Sequence, residues 1–281
     1  MVQLIDGKKV ARELVDKVKQ EVATLPSSPG LAVILIGEDP ASEIYVNIKR
    51  KRCNEIGIVS YLHQLDSSVT QDVVLQLIDK LNNDPKITGI LVQMPTPSQI
   101  SDNKIMIAVN PKKDVDGFNP INIGNLVLKK EGLQSCTPRG IHKLLKYYNI
   151  PLQGQEVVVI GSSIIVGNPV AQMFLNANST VTVCNIDTKD LKMHTQKADI
   201  IVSATGKKHI LTADMIKEEA VIVDVGIIRE NGKIYGDVDF ENVKDKCSYI
   251  TPVPGGVGPM TIACLMENTL IAYNLQNGGE K

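Results

Sequence analysis

Tyr45-Val-Asn-Ile-Lys49 sets a phenol and a primary amine four residues apart, which is one face of any helix that forms there. An amine so placed can move protons once its surroundings lower its pKa; on a solvated face the same pair is an ordinary surface contact. Gln93 closes the apolar run Ile87-Thr-Gly-Ile-Leu-Val-Gln93, and open α/β sheets present ligand-binding side chains at that end of a strand. Asp116 lies in Lys113-Asp-Val-Asp-Gly-Phe118, whose two acids and glycine suggest a shaped turn. Asp114 reads as the turn former there, and Asp116 as the acid left for chemistry. Pro252-Val-Pro-Gly-Gly-Val-Gly-Pro259 gathers three glycines and three prolines. Such a run either brings backbone amides against a flat ligand or serves as a rigid connector.

A different chemistry is suggested further along. Val157-Val-Val-Ile160 runs straight into Gly161-Ser-Ser-Ile-Ile-Val-Gly167-Asn-Pro169, and a helix-like segment follows. A strand ending on glycine admits a diphosphate close to the backbone, and the next helix N-terminus stabilises its charge. The two glycines stand six apart rather than in the usual G-x-G-x-x-G spacing, with Pro169 suited to a first helical turn.

The elements that must position these residues alternate. Val10, Leu14, Val15, Val18 and Val22 recur at helical spacing after Gly7, and Leu31–Ile36 is a continuous apolar run, as in a strand covered on both faces. A helix over Ala41–Glu55, a strand over Ile58–His63, a helix over Val69–Leu81 and the strand ending at Gln93 complete a parallel α/β series. A second series has strands at Glu156–Ile160, Thr180–Cys184, Asp199–Ser203 and Val221–Val225, a hairpin at Glu230-Asn-Gly-Lys233, and a last apolar helix over Met260–Leu275. The expected fold is therefore α/β, with two α/β domains flanking a cleft and the second Rossmann-like.

Composition narrows the partners. In 281 residues, 30 lysines and arginines nearly cancel 31 acids, which argues against a nucleic-acid partner. Lys49-Arg-Lys-Arg52 is the one basic run, and most of it reads as a solvated helix face. No apolar stretch approaches a bilayer-spanning length, and the N-terminal residues lack the apolar core of a signal peptide, so no membrane partner is expected. Cys53, Cys136, Cys184, Cys247 and Cys264 are odd in number and widely spread. With four unclustered histidines they predict no metal site, and reduced thiols in the cytoplasm.

With these residues in view, the chain resembles the bifunctional methylenetetrahydrofolate dehydrogenase/methenyltetrahydrofolate cyclohydrolase family over essentially its whole length. Seven ordered motifs carry the resemblance: Ala41-Ser with Tyr45-Val-x-x-Lys49, Gly89-Ile-Leu-Val-Gln93, Lys113-Asp-Val-Asp-Gly-Phe118, Cys136-Thr-Pro-x-Gly140, Gly161-x-Ser-x-Ile-Val-Gly167-x-Pro169, Gly236-Asp-Val-Asp239, and Pro252 through Thr261.

The resemblance implies a folate domain over 1–119 plus 260–281 and an NAD(P)-binding domain over 120–259. It implies that Lys49 is catalytic, that Tyr45 packs beside the substrate, that Gln93 hydrogen-bonds the lysine, and that Asp116 holds the pterin. Pro254, Gly255 and Gly256 would also meet the folate, while Gly161, Ser162, Ser163, Ile186 and Ile227 would meet the cofactor. Tetrahydrofolate substrates, NADP (or NAD) and a homodimer complete the expectation. A free lysine titrates near ~10.4, so its use as a base requires burial and the like charge of a methenyl cation to bring it down. An amide at 93 would accept its hydrogen bond without locking it protonated.

Departures from the family pattern cluster in the cofactor half. Ser162 stands where many relatives have arginine or alanine, and Asn185-Ile-Asp187 where they often place His-Ser or a basic residue. Ile228 replaces a common asparagine, and Met94 and Thr96 replace leucines beside the folate. Lys189, Lys207 and Lys208 are candidates to offset Asp187 beside a 2′-phosphate. A non-catalytic folate or nucleotide sensor, or another two-domain NADP dehydrogenase of the shikimate type, are the alternative readings at this point.

Overall fold

A computed structural model describes residues 2–278. In chain order the first half runs β1 (Gln3–Leu4), α1 (Gly7–Val22), β2 (Gly30–Ile36), α2 (Pro40–Ile56), β3 (Val59–Leu65), α3 (Gln71–Asn83), β4 (Gly89–Val92), α4 (Asp102–Ala108) and α5 (Pro120–Val127). The second half runs α6 (Cys136–Tyr147), β5 (Glu156–Ile160), α7 (Gly167–Asn176), β6 (Thr180–Cys184), α8 (Leu191–Thr195), β7 (Ile200–Ser203), β8 (Val221–Asp224), β9 (Ile228–Glu230), β10 (Lys233–Tyr235), α9 (Phe240–Val243), β11 (Tyr249–Ile250) and α10 (Val257–Asn277).

The chain forms two compact α/β units. One comprises residues 13–136 and 262–281, the other residues 1–12 and 137–261. These boundaries differ from the sequence expectation over residues 1–12 and 120–136. The first residues join the second unit because β1 pairs in parallel with β11, Gln3 against Tyr249 and Leu4 against Ile250. Residues 120–136 stay with the first unit because Asn122 of α5 donates to Asp114 and to the Pro111 carbonyl.

The first unit is built on a three-stranded parallel sheet in the order β3-β2-β4. All seven residues of the central β2 are buried, as its unbroken apolar run requires, and Val74, Ile78 and Leu81 of α3 close one face over Ile34 and Ile90. The second unit carries a six-stranded parallel sheet in the order β1-β11-β8-β7-β5-β6. Its order reverses at β5, where the chain steps outward to β6 and then back to β7, and ligands bind at such a switch point. The β9–β10 hairpin turns on Asn231 and Gly232, both at positive φ (52° and 75°), as its Asn-Gly pair predicts.

Candidate active site

Helix α2 starts on Asp39, whose carboxylate accepts from the Ser42 amide, with Pro40 in the first turn, and it stops at Gly57 in the left-handed region (φ 87°). Tyr45 and Lys49 are half-buried one turn apart on this helix. Gln93 follows β4 and still pairs with the sheet through its backbone amide to the Ile34 carbonyl. Its Oε1 accepts from Lys49 Nζ at 2.9 Å, while its Nε2 donates to the Met94 carbonyl at 2.8 Å. The second bond fixes which end of the amide faces the lysine.

The 113–118 loop lies along the sheet edge, with the Ile90 amide donating to the Lys113 carbonyl. Asp114 is buried and shapes the turn: its Oδ2 accepts from the Asn119 amide and from Asn122, and its carbonyl accepts from the Gly117 amide. Gly117 has φ 74°, and a Cβ there would stand 2.4 Å from the Ser135 nitrogen, so the turn admits only glycine. Asp116 is half-buried beside this turn. Loss of water around its carboxyl, opposed by the charge of Lys49 and reinforced by Asp114, pushes the group up to about 7. The structure thus brings Lys49, Gln93 and Asp116 together within the first unit.

One residue of this assembly escaped the sequence reading. Asn268, fully buried on α10, donates from Nδ2 to the Val115 carbonyl at 2.8 Å and the Gln134 carbonyl at 2.7 Å. It holds the loop that carries Asp116. The signal was present as a lone amide between Leu265, Met266 and Leu270 in an apolar helix, where a buried polar group must find partners.

The second unit holds the other predicted residues. Gly161, at φ 112°, ends β5, and a Cβ on it would lie 2.5 Å from the Ala204 carbonyl oxygen. A Cβ on Gly167 would lie 2.0 Å from the Gly161 carbonyl oxygen, so the six-residue glycine spacing closes the loop on itself. Ser163 Oγ accepts from the Val166 and Gly167 amides just before α7, which ties this serine to loop structure. Ser162 is exposed. Ile186, 93 % exposed after β6, and Ile227, 43 % exposed after β8, present apolar surface at the carboxyl ends of their strands. That surface and the glycine loop suit the flat rings and diphosphate of a dinucleotide.

Asp187 is exposed, its amide held by Asn185 Oδ1 in a side-chain turn. Lys208 pairs with Glu230 and lies 3.7 Å from the centroid of the Tyr235 ring, which commits it to the β9–β10 hairpin; Lys189 and Lys207 are exposed. Pro254 is exposed, but Gly255 and Gly256 are buried against the start of α1. The Lys8 amide donates to the Gly255 carbonyl, and a Cβ on Gly7 would lie 1.7 Å from the Gly256 carbonyl oxygen. Close chain packing accounts for these two glycines within the unit. All five cysteines are buried, and no disulfide joins any of them among the described residues. Among the described residues no helix is long and apolar enough to cross a membrane.

Known proteins resemble this chain over nearly its whole length. The family description "Tetrahydrofolate dehydrogenase/cyclohydrolase, catalytic domain" matches residues 5–116, and its "NAD(P)-binding domain" matches residues 135–277. The "Bifunctional protein FolD" of Wolinella succinogenes is 53 % identical over 276 residues, 96 % of each chain. The crystal structure of the bifunctional FolD methylenetetrahydrofolate dehydrogenase/cyclohydrolase of Campylobacter jejuni is 50 % identical, covers 98 % of this chain and 100 % of its own, and superposes with a TM-score of 0.95. The Trypanosoma brucei enzyme, solved with NADP cofactor and an inhibitor, is 32 % identical with a TM-score of 0.94 over 98 % of each chain.

Proposed function

The chain belongs to the tetrahydrofolate dehydrogenase/cyclohydrolase family, and on that premise we propose that it oxidises 5,10-methylenetetrahydrofolate with NADP and hydrolyses the product to 10-formyltetrahydrofolate. The observation that carries the residue assignment is the 2.9 Å hydrogen bond from Lys49 to Gln93, with Asp116 close enough to feel the lysine's charge.

The dinucleotide, when bound, accepts hydride from the methylene carbon. Gly161, Gly167 and the surfaces of Ile186 and Ile227 are the groups that would hold it. Removal of hydride leaves a methenyl cation bridging N5 and N10. A water oxygen then bonds to that carbon and loses a proton, for which Lys49 Nζ is the acceptor. The carbon–N5 bond breaks, the remaining hydroxyl proton passes to N5, and the oxygen becomes the formyl carbonyl on N10. Gln93 Oε1 holds the amine in line without adding a negative charge that would keep it protonated. Tyr45, one turn away, supplies an aromatic wall for the substrate.

Asp116 suits the pterin, whose aminopyrimidinone edge offers paired N–H donors to a carboxylate. Such donors favour the ionised form. Folate binding should therefore tighten as pH rises through about 7, the value to which burial brings the free carboxyl. A cytoplasmic setting fits five cysteines that form no disulfide, and a homodimer is the family habit.

The test is Lys49→Met, which keeps the stem volume and removes the amine. Hydrolysis of methenyltetrahydrofolate should fall by ~10²–10⁴-fold, the usual share of a general acid–base group. Near-normal hydrolysis by a well-folded variant would remove Lys49 from the mechanism.

A further inference from the structure

The Gly236-Asp-Val-Asp239 motif has no part in the chemistry above, yet its first acid is wholly buried. Asp237 Oδ2 accepts three hydrogen bonds: from Ser203 Oγ at 2.9 Å, the Thr205 amide at 2.7 Å and Thr205 Oγ1 at 3.0 Å. Ser203 ends β7, and Thr205 lies in the loop after it. Ala204, between them, presents the carbonyl against which Gly161 packs, and its amide donates to the Ile160 carbonyl.

A second buried acid completes the arrangement. Asp224, at the end of β8, accepts from the Gly226 and Asp237 amides on Oδ1 and from the Val238 amide on Oδ2. Its own amide donates to Thr251 Oγ1 at 2.7 Å, just before the Pro252–Pro259 run. Gly226 and Gly236 have no side chain because the acids occupy that space. A Cβ on Gly226 would lie 2.2 Å from Asp237 Oδ1, and one on Gly236 would lie 1.9 Å from Asp224 Oδ2. The two carboxyls therefore bind together the segments that follow β7, β8 and β11, and through Ala204 the glycine loop after β5.

These are the carboxyl ends of parallel strands, where an open sheet receives its ligand. Asp237 Oδ1 is buried without a hydrogen-bond partner, an arrangement that costs stability. Burial and the neighbouring charge of Asp237 push Asp224 up to about 6, so the pair is held against electrostatic preference. We infer that Asp237, braced by Asp224, is a positioning residue for the dinucleotide: it fixes the Ser203–Gly206 loop against the glycine loop at the spacing the cofactor needs.

This inference rests on the dinucleotide reading, and the test separates the two. In wild-type protein, methylenetetrahydrofolate-dependent reduction of NADP establishes the reading; its absence would defeat the reading itself. Asp237→Ala leaves three donors without an acceptor. It should raise the KM for NADP about tenfold or more, with kcat changed far less and the KM for folate unmoved. Asp237→Asn, which keeps an acceptor oxygen, should restore most of that loss, and Thr205→Val should show a smaller rise of the same kind. A purely structural role would instead lower the melting temperature without this selective rise in KM. An unchanged NADP KM in folded Asp237→Ala would overturn the inference. If that variant fails to fold, an unchanged NADP KM in Thr205→Val would do so.

Discussion

Asp116 is the residue whose environment makes the sharpest demand. Its folded-state pKa is raised from 3.8 to about 7, so the folded chain holds a proton that the unfolded chain has released across that window. The stability this group contributes is complete below 3.8 and is lost as pH rises through about 7. Asp116→Asn should therefore raise the melting temperature above the folded pKa and leave it nearly unchanged at acid pH, while weakening folate binding. A gain that is largest in acid would contradict the assignment. The sequence separated the two acids of this loop by role. The resemblance put Lys49 and Asp116 at one substrate, but did not tell that they lie close enough to shift a titration.

Cofactor choice also belongs to single residues. Asp187 would repel a 2′-phosphate, and Lys208 is tied to Glu230 and Tyr235, which leaves Lys189 or Lys207 to offset it. The expected outcome is a preference for NADP in kcat/KM, where tenfold corresponds to only ~1.4 kcal/mol. A clear preference for NAD, relaxed by Asp187→Ser, would identify Asp187 as the discriminating residue and reverse the choice.

At the scale of elements, helical periodicity and unbroken apolar runs were both good guides. Helices α1, α2 and α3 and strands β2, β5 and β6 lie within a few residues of their expected limits. Strands β1 and β11 are two residues long and carry no pattern to read. Helix α5 inverts the usual rule: Ile121 and Val127 are exposed while Asn122 is buried on Asp114. A hydrogen bond to a buried carboxylate outweighs the exposure of two aliphatic side chains here, and hydrophobic patterning cannot express that choice. The same physics governs α10, where Asn268 supports the Asp116 loop. Asn268→Leu should cost about 1–3 kcal/mol by removing the amide donor to the Val115 and Gln134 carbonyls, and should weaken folate binding more than dinucleotide binding. Equal affinity for folate in the variant would mean that the loop holds its shape without α10.

For the whole molecule, the alternation of strands and helices conveyed two α/β units, and the seven ordered motifs conveyed the family. The division of the chain between the units was harder to read, because Gln3 and Leu4 join a sheet whose other strands begin beyond residue 150. Pairing across such a separation leaves no local mark in sequence. The central claim is that this one chain performs both successive steps. It is tested most directly by giving wild-type protein methylenetetrahydrofolate and NADP, and following reduced nicotinamide and 10-formyltetrahydrofolate together. Both should appear, in equal amounts once the reaction has run its course. Reduction with methenyltetrahydrofolate accumulating no faster to hydrolyse than it does in buffer, or no reduction at all, would contradict it.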